Sequence, residues 1–215
     1  MKKIKILNQL NKALIFLLFV AVGFTQACKS ENKTTEEETE QVVKLVSPEF
    51  NADSALAFTK AQVDFGPRIP STPAHAKTAD YLVAKLKSFG GEVSVQQASA
   101  KTYDGKTHQL KNIIAAFYPE KKQRVLITAH WDARPFSDQD PDPKMHDKPF
   151  DAANDGASGV GVLLEIARVI HSSNRKPNIG IDIILFDAED LGVSEIENSF
   201  CLGSQYWGKN LHTPG

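Results

Sequence analysis

The sequence predicts an α/β domain with a mixed, mostly parallel twisted sheet flanked by helices. Two short apolar runs, residues 125–129 and 179–186, have the length and composition of buried parallel strands. Between them, residues 156–170 carry apolar side chains at helical spacing. A strand, a helix and a strand in succession indicate a right-handed crossover between parallel strands, the unit from which such sheets are built.

The segment before this unit predicts two helices and a hairpin. Asn51 or Asp53 can cap the first helix, and the second helix begins after Pro73. Residues 92–99 and 112–118 have strand character and are joined through a turn that contains an Asp-Gly pair. We therefore expect an antiparallel hairpin attached to the parallel strands.

The composition excludes several classes of protein. The chain has 215 residues of which 41% are hydrophobic, and this excludes a chain that is disordered throughout. Its 25 Lys and Arg against 26 Asp and Glu give a formal net charge of -1, so the basic surface that nucleic-acid binding needs is missing. The two cysteines, Cys28 and Cys201, exclude a disulfide framework, and we expect Cys201 to be a free thiol that is buried or half-buried.

The first 27 residues have the pattern of a signal peptide. Four lysines within the first twelve residues precede an apolar run at 13–24, which is too short to span a bilayer but suits an export signal. Ala27 directly precedes Cys28, an arrangement that resembles the lipobox of bacterial lipoproteins. We expect residues 1–27 to be removed and Cys28 to become the lipidated N-terminus. Ordinary cleavage after Ala27 and an uncleaved anchor are the alternatives.

Residues 28–46 are expected to form an acidic tether. They are rich in Glu, Ser and Thr and carry too little apolar surface to order themselves. The globular domain is then expected to occupy residues 47–215. This organisation predicts a protein exported to the bacterial cell envelope, with a membrane as partner through the lipid on Cys28, on the periplasmic or the surface side.

Ionisable side chains follow both predicted parallel strands where each strand ends, and two more precede the helix between them. His130 and Asp132 follow the first strand. Asp187, Glu189 and Asp190 follow the second strand, and Asp151 and Asp155 stand just before the helix. Because the carboxyl ends of neighbouring parallel strands meet at one edge of the sheet, we expect these side chains to converge there. So much negative charge in a partly buried site requires a compensating cation, and the sequence therefore predicts a divalent metal.

Each of these groups also has a purely structural interpretation. Asp155 can cap the helix that follows it, and His130 can be a hydrogen-bonded loop histidine. Residues 187–190 can form a solvated acidic turn. The glycine-rich residues 156–161 lack the lysine of a phosphate-binding loop and the spacing of a nucleophile elbow. We expect these small residues to let the start of the helix approach the sheet closely.

Four segments together resemble the zinc aminopeptidase-like superfamily. They are residues 65–68, 129–135, 153–159 and 186–190. The sequence is most similar to the bacterial glutaminyl-peptide cyclotransferases (glutaminyl cyclases) of the animal type, from about Ser47 to the last residue, and residues 203–207 belong to the resemblance.

The resemblance implies roles for individual residues. Asp155 and Asp190 match the two acidic ligands of a zinc ion, and Glu189 matches the general acid and base. His130 and Asp132 match a motif that holds a second zinc in related aminopeptidases. Since the cyclases use one zinc, the resemblance implies that His130 and Asp132 support the site from outside the metal ligands.

The implied activity is conversion of the N-terminal Gln of peptides and proteins to pyroglutamate, with release of ammonia. A zinc aminopeptidase of the same fold and a non-catalytic surface lipoprotein are the alternatives. Tetrahedral zinc in this family also requires a histidine from a later segment, and the only histidine after Asp190 is His212, which matches no ligand position. We therefore expect a C-terminally incomplete catalytic domain that binds zinc weakly and is poorly active.

Overall fold

The computed structural model describes residues 47–213. The predicted signal peptide, the lipidation at Cys28 and the acidic tether lie outside the described residues and stay predictions. Within residues 47–213, none of the helices has both the length and the apolar character needed to cross a membrane.

The described residues form four helices and four strands. The helices are α1 (Ala52–Val63), α2 (Pro73–Ser88), α3 (Gly159–Ser172) and α4 (Leu202–Lys209), and the strands are β1 (Glu92–Lys101), β2 (Thr107–Phe117), β3 (Arg124–His130) and β4 (Gly180–Phe186). A single 3-10 turn lies at Pro143–Met145, and a distorted helical turn at Ala153–Ser158 precedes α3.

The four strands form one mixed sheet in the order β1-β2-β4-β3. The pairs β1-β2 and β2-β4 are antiparallel, and β3 runs parallel to β4, with His130 opposite Phe186 at the last paired position. The predicted α/β class, the hairpin and the parallel strand–helix–strand unit are confirmed. The described part of the sheet is less parallel than predicted, because it holds one parallel pair beside two antiparallel pairs.

The structure shows where α1 and β2 begin. Asn51 rather than Asp53 caps α1, and its side chain accepts a hydrogen bond of 2.8 Å from the backbone N–H of Ser54. β2 begins at Thr107, five residues before the predicted start, because its pairing with β1 continues to the position opposite Lys101. This end of the hairpin is polar, and hydrophobic patterning therefore gave no signal for it.

The main core lies between the sheet and the helices α2 and α3. Leu82 and Leu86 of α2, Leu164 of α3, and Ile183 and Leu185 of β4 are all fully buried in it. β3 differs from the prediction, because Val125 and Leu126 are 45% and 44% exposed. In the described sheet β3 has a neighbour only on the side of β4, and the apolar run alone does not distinguish such an edge strand from a central one.

The predicted helix at 156–170 begins later in the structure, at Gly159. Asp155 has extended rather than helical backbone angles (φ -112°, ψ 98°), and it does not cap α3. The expected close approach is confirmed: a Cβ atom on Gly156 would lie 2.6 Å from Nε2 of His130, and one on Gly159 would lie 3.2 Å from Cβ of Ala129. The small residues thus bring the start of α3 against the end of β3.

Candidate functional site

The ends of β3 and β4 are held together by a buried carboxylate. Asp132, two residues after β3, is fully buried. Its Oδ1 accepts a hydrogen bond of 3.0 Å from the backbone N–H of Glu189, and its Oδ2 accepts one of 3.2 Å from the N–H of Asp190. Asp132 therefore fixes the backbone from which the two predicted functional side chains project.

His130 lies among three carboxylates at this edge. Its Nε2 is 2.6 Å from Oδ1 of Asp155, and its Nδ1 is 3.4 Å from Oδ1 of Asp132 and 3.9 Å from Oε2 of Glu189. Burial alone lowers the pKa of His130, but the carboxylate of Asp132, followed by those of Asp155 and Glu189, outweighs it and raises the pKa to about 9. The prediction that Asp132, Asp155 and Glu189 lie close to His130 is confirmed.

Arg134 connects the loop after β3 with Asp190. Its Nη1 donates to Oδ1 of Asp190 at 3.2 Å and to the backbone oxygens of Asp190 and Gly192 at 3.2 and 3.0 Å. The other edge of the guanidinium donates to both carboxylate oxygens of Asp138 at 2.7 and 2.6 Å. Arg134 lay within a motif that carried the resemblance, but the sequence assigned it no role.

Asp190 lies near the negative charges of several other carboxylates. Burial is the largest cause that raises the pKa of its carboxyl, Arg134 lowers it, and the charges of Glu189, Asp132 and Asp155 raise it further, to about 6. The carboxylates thus repel one another, and the single positive charge of Arg134 does not fully offset this repulsion. A divalent ion between them would relieve this repulsion.

Glu189 is half-buried and is contacted by Cys201. The Sγ of Cys201 donates to Oε1 of Glu189 at 3.3 Å, and the backbone N–H of Cys201 donates to the backbone oxygen of Glu189 at 2.7 Å. Cys201 is a free, half-buried thiol, as expected. Its contact with Glu189 was missed because the two residues meet across an irregular segment that has no sequence signature.

Asp155 and Asp190 border the same cleft, which has a volume of about 670 Å³. The cleft also carries the aromatic side chains of Phe136, Phe150 and Phe200. A cleft of this size that combines aromatic side chains with convergent charged groups can hold a small molecule or the end of a peptide.

Asp187 does not belong to the acidic cluster at the edge of the sheet, so the prediction was wrong for this residue. It is fully buried, and its Oδ2 lies 2.8 Å from Nε2 of His75 and accepts a hydrogen bond of 2.6 Å from the N–H of Lys111. Burial raises the pKa of Asp187, and His75 opposes that shift. His75 also stacks on Trp131, with ring centroids 4.3 Å apart. Asp187 therefore supports the site from the interior.

Two other ionisable residues also lie away from the predicted cluster. Asp151 is exposed, and it contributes a backbone oxygen rather than its carboxylate. His212 accepts a hydrogen bond of 2.9 Å from Nε1 of Trp207 and approaches Asp182, near the start of β4. His212 thus lies towards the end of β4 opposite to the site, in agreement with the expectation that it is not a ligand.

Arg68 also lay within a segment that carried the resemblance, and the sequence assigned it no role. Its fully buried guanidinium donates to the backbone oxygens of Trp131 at 3.0 Å, Asp151 at 2.9 Å and Ala152 at 2.7 Å. Burial lowers the pKa of Arg68, and the charges of Asp132 and Asp151 oppose that shift. Arg68 thus joins the exit of β3 to the segment that leads into Asp155.

The donor set fits a zinc ion in part. Among residues 47–213 there is no ready group of three or more His, Cys, Asp or Glu side chains that could hold a metal. Asp155 and Asp190 nevertheless place two carboxylates on one cleft, and zinc accepts carboxylate oxygens, with three protein ligands in typical catalytic sites. These two residues would supply two of the ligands, and their roles stay predictions.

The model of peptidase family M28 matches residues 112–214, a range that contains the second half of β2, all of β3 and β4, and every predicted site residue apart from the lipidation site. Residues 112–214 are thus similar to an M28 peptidase domain. The resemblance to glutaminyl cyclases of the zinc aminopeptidase-like superfamily is confirmed as well.

Solved structures similar to this chain include both cyclases and exopeptidases. A Zn-dependent exopeptidase from Parabacteroides distasonis is 54% identical with a TM-score of 0.75, and the match covers 78% of this chain and 58% of that one. A glutaminyl cyclase from Tannerella forsythia is 52% identical with a TM-score of 0.74, and the match covers 78% of this chain and 59% of that one.

A curated relative of this chain carries a peptidase name. Aminopeptidase YwaD of Bacillus subtilis is 33% identical over 151 residues, which cover 66% of this chain and 28% of that protein. The chain therefore spans between about a quarter and three fifths of the length of these relatives.

Proposed function

We propose that the protein is a zinc-dependent glutaminyl cyclase that converts N-terminal Gln of peptides and proteins to pyroglutamate and releases ammonia. The observation that carries the proposal is the position of Glu189. Its Oε2 lies 3.9 Å from Nδ1 of His130, whose Nε2 contacts Asp155, and its charge helps to raise the pKa of Asp190. Asp155 and Asp190 border one cleft. The 52% identity to a glutaminyl cyclase supports the choice of reaction within the family.

In this reaction the α-amine of the substrate attacks the side-chain amide carbon of the same glutamine. A new C–N bond forms, the bond to the amide nitrogen breaks, and that nitrogen leaves as ammonia. Glu189 takes a proton from the attacking amine and returns it to the leaving nitrogen. One zinc ion, with Asp155 and Asp190 among its ligands, would supply Lewis-acid polarisation of the amide carbonyl. Because the nucleophile belongs to the substrate, the cleft mainly has to hold the two reacting ends together.

A zinc aminopeptidase is the second candidate, and the names of two relatives favour it: the Zn-dependent exopeptidase of Parabacteroides distasonis and Aminopeptidase YwaD. In that reaction Glu189 would activate a water molecule instead of the substrate amine. The same carboxylate therefore serves both reactions, and the products must distinguish them.

We expect the protein, expressed from its complete reading frame, to release ammonia from a peptide with N-terminal Gln and to block that peptide's free amine. A matched peptide with N-terminal Leu should stay intact. A coupled ammonia assay and mass spectrometry measure both products. Free leucine without ammonia would favour the aminopeptidase, and the absence of both products would favour a non-catalytic lipoprotein.

The metal content separates the two enzymes further. We expect one zinc ion per chain by elemental analysis, and we expect His130→Ala to retain it, because His130 is not among the proposed ligands. In a two-zinc aminopeptidase His130 would be a ligand, and the same substitution would remove metal.

We also propose that the protein is exported and anchored in a membrane of the bacterial cell envelope by a lipid on Cys28. The support is the sequence pattern of residues 1–46 alone. Wild-type protein is expected to sediment with membranes and to partition into detergent, and Cys28→Ala is expected to be found in the aqueous phase. Detergent partitioning of Cys28→Ala equal to that of wild type would contradict the lipid anchor and favour an uncleaved apolar segment.

A further inference from the structure

We infer that Cys201 is a positioning residue that holds the carboxylate of Glu189 in its working orientation. The inference rests on the proposed function, because it assigns Cys201 a role towards the residue proposed as general acid and base. Cys201 itself is proposed to touch neither substrate nor metal.

Cys201 contacts Glu189 at two separate points. The backbone N–H of Cys201 binds the main-chain oxygen of Glu189 at 2.7 Å, and the thiol binds Oε1 at 3.3 Å. The other carboxylate oxygen, Oε2, faces His130 at 3.9 Å, beyond hydrogen-bonding distance. The thiol is thus the hydrogen-bond donor that fixes the rotation of this side chain, and Oε2 is left available as a base.

Cys201 is itself held firmly by the helix that follows it. It has left-handed backbone angles (φ 59°, ψ 32°), and its carbonyl accepts hydrogen bonds from the backbone of Gln205 at 2.9 Å and from the hydroxyl of Ser204 at 3.0 Å. These contacts belong to the main chain of Cys201. Substitution of its side chain therefore leaves them in place and tests the thiol alone.

A thiol suits this position because it donates weakly. Burial, followed by the neighbouring Glu189, raises the pKa of Cys201 to about 11, so the sulfur is protonated at neutral pH and can donate. An S–H group is a weak hydrogen-bond donor. It can orient the carboxylate while withdrawing little of the basicity that proton transfer needs.

The first test does not depend on activity. It measures the rate at which iodoacetamide alkylates Cys201 in the folded protein at pH 8, with peptide mass spectrometry to separate Cys201 from Cys28. Glu189→Gln removes the adjacent charge and is expected to increase the rate by about tenfold. Glu197→Gln removes a charge from the same loop without a contact to Cys201 and serves as the matched control. Equal rates in wild type and Glu189→Gln would overturn the contact.

The second test compares two variants of Cys201 in ammonia release. Cys201→Ala removes the donor and is expected to lower kcat by about fivefold at unchanged KM, whereas Cys201→Ser keeps a donor and is expected to stay within about twofold of wild type. Wild-type kcat in Cys201→Ala, or equal losses in both variants, would overturn the inference. If the wild-type protein releases no ammonia, the proposed function fails, and the alkylation rates still decide whether the thiol is bound to Glu189.

Discussion

Glu189→Gln is expected to reduce cyclisation of N-terminal Gln by about a thousandfold, because the amide cannot move the proton between the attacking and the leaving nitrogen. The substitution preserves the size of the side chain. It also keeps the hydrogen bond from the backbone N–H of residue 189 to Asp132, which measures 3.0 Å. Steady-state ammonia release gives kcat and KM, and the loss is expected in kcat.

Two controls separate the loss of a base from the loss of the site. Zinc content should be the same in Glu189→Gln and wild type, since Asp155 and Asp190 remain. Glu197→Gln, at an exposed position of the same loop, should keep wild-type kcat. Retention of more than about a tenth of the wild-type kcat by Glu189→Gln would show that another group transfers the proton.

The convergence of His130, Asp155, Glu189 and Asp190 could be predicted because it depends on a general rule of α/β sheets. β3 and β4 are parallel neighbours, and the residues after their ends meet at one edge. The same rule predicted that Asp187 would join these residues at the edge of the sheet, and for Asp187 the prediction was wrong. The rule fixes the position of the backbone, but it does not fix which side chains turn into the cleft and which, like that of Asp187, turn inward.

The contacts of Arg68 and Cys201 could not be predicted, because they depend on tertiary structure. Arg68 binds carbonyl groups 63 to 84 residues further along the chain, and neither its neighbours nor its spacing indicate that it is buried. The apolar run of β3 likewise has the same composition whether the strand has one neighbour or two. Sequence patterns indicate whether a segment is a helix or a strand and which of its faces is apolar, but they do not show which other segments it contacts.

The buried charges of the site depend on one another. Asp132 fixes the backbone of Glu189 and Asp190, and Arg68 fixes the segments on both sides of the loop after β3. The guanidinium of Arg68 is fully buried, yet no carboxylate of the described residues forms a hydrogen bond with it. Three carbonyl oxygens accept its hydrogen bonds, and the nearby charges of Asp132 and Asp151 offset part of its positive charge. Removal of this arginine should therefore affect stability and site geometry together.

Arg68→Met is expected to lower the free energy of unfolding by about 3–5 kcal/mol, because three carbonyl groups lose their donors and remain largely buried. Methionine retains most of the apolar volume of the side chain, so the loss reports hydrogen bonds and charge rather than a cavity. Guanidinium chloride unfolding followed by tryptophan fluorescence measures the change. Trp131, whose backbone oxygen is one of the three acceptors, is a local probe.

Arg175→Met provides the matched control, because Arg175 is exposed and its substitution should change the stability by less than about 0.5 kcal/mol. Arg68→Lys tests the geometry of the guanidinium. The ammonium group keeps the charge but cannot reach three carbonyl groups in the planar arrangement of arginine, so this variant should lose most of the same free energy of unfolding. A stability of Arg68→Met within about 1 kcal/mol of wild type would mean that water replaces the three hydrogen bonds and that the segment leading to Asp155 is held by other contacts.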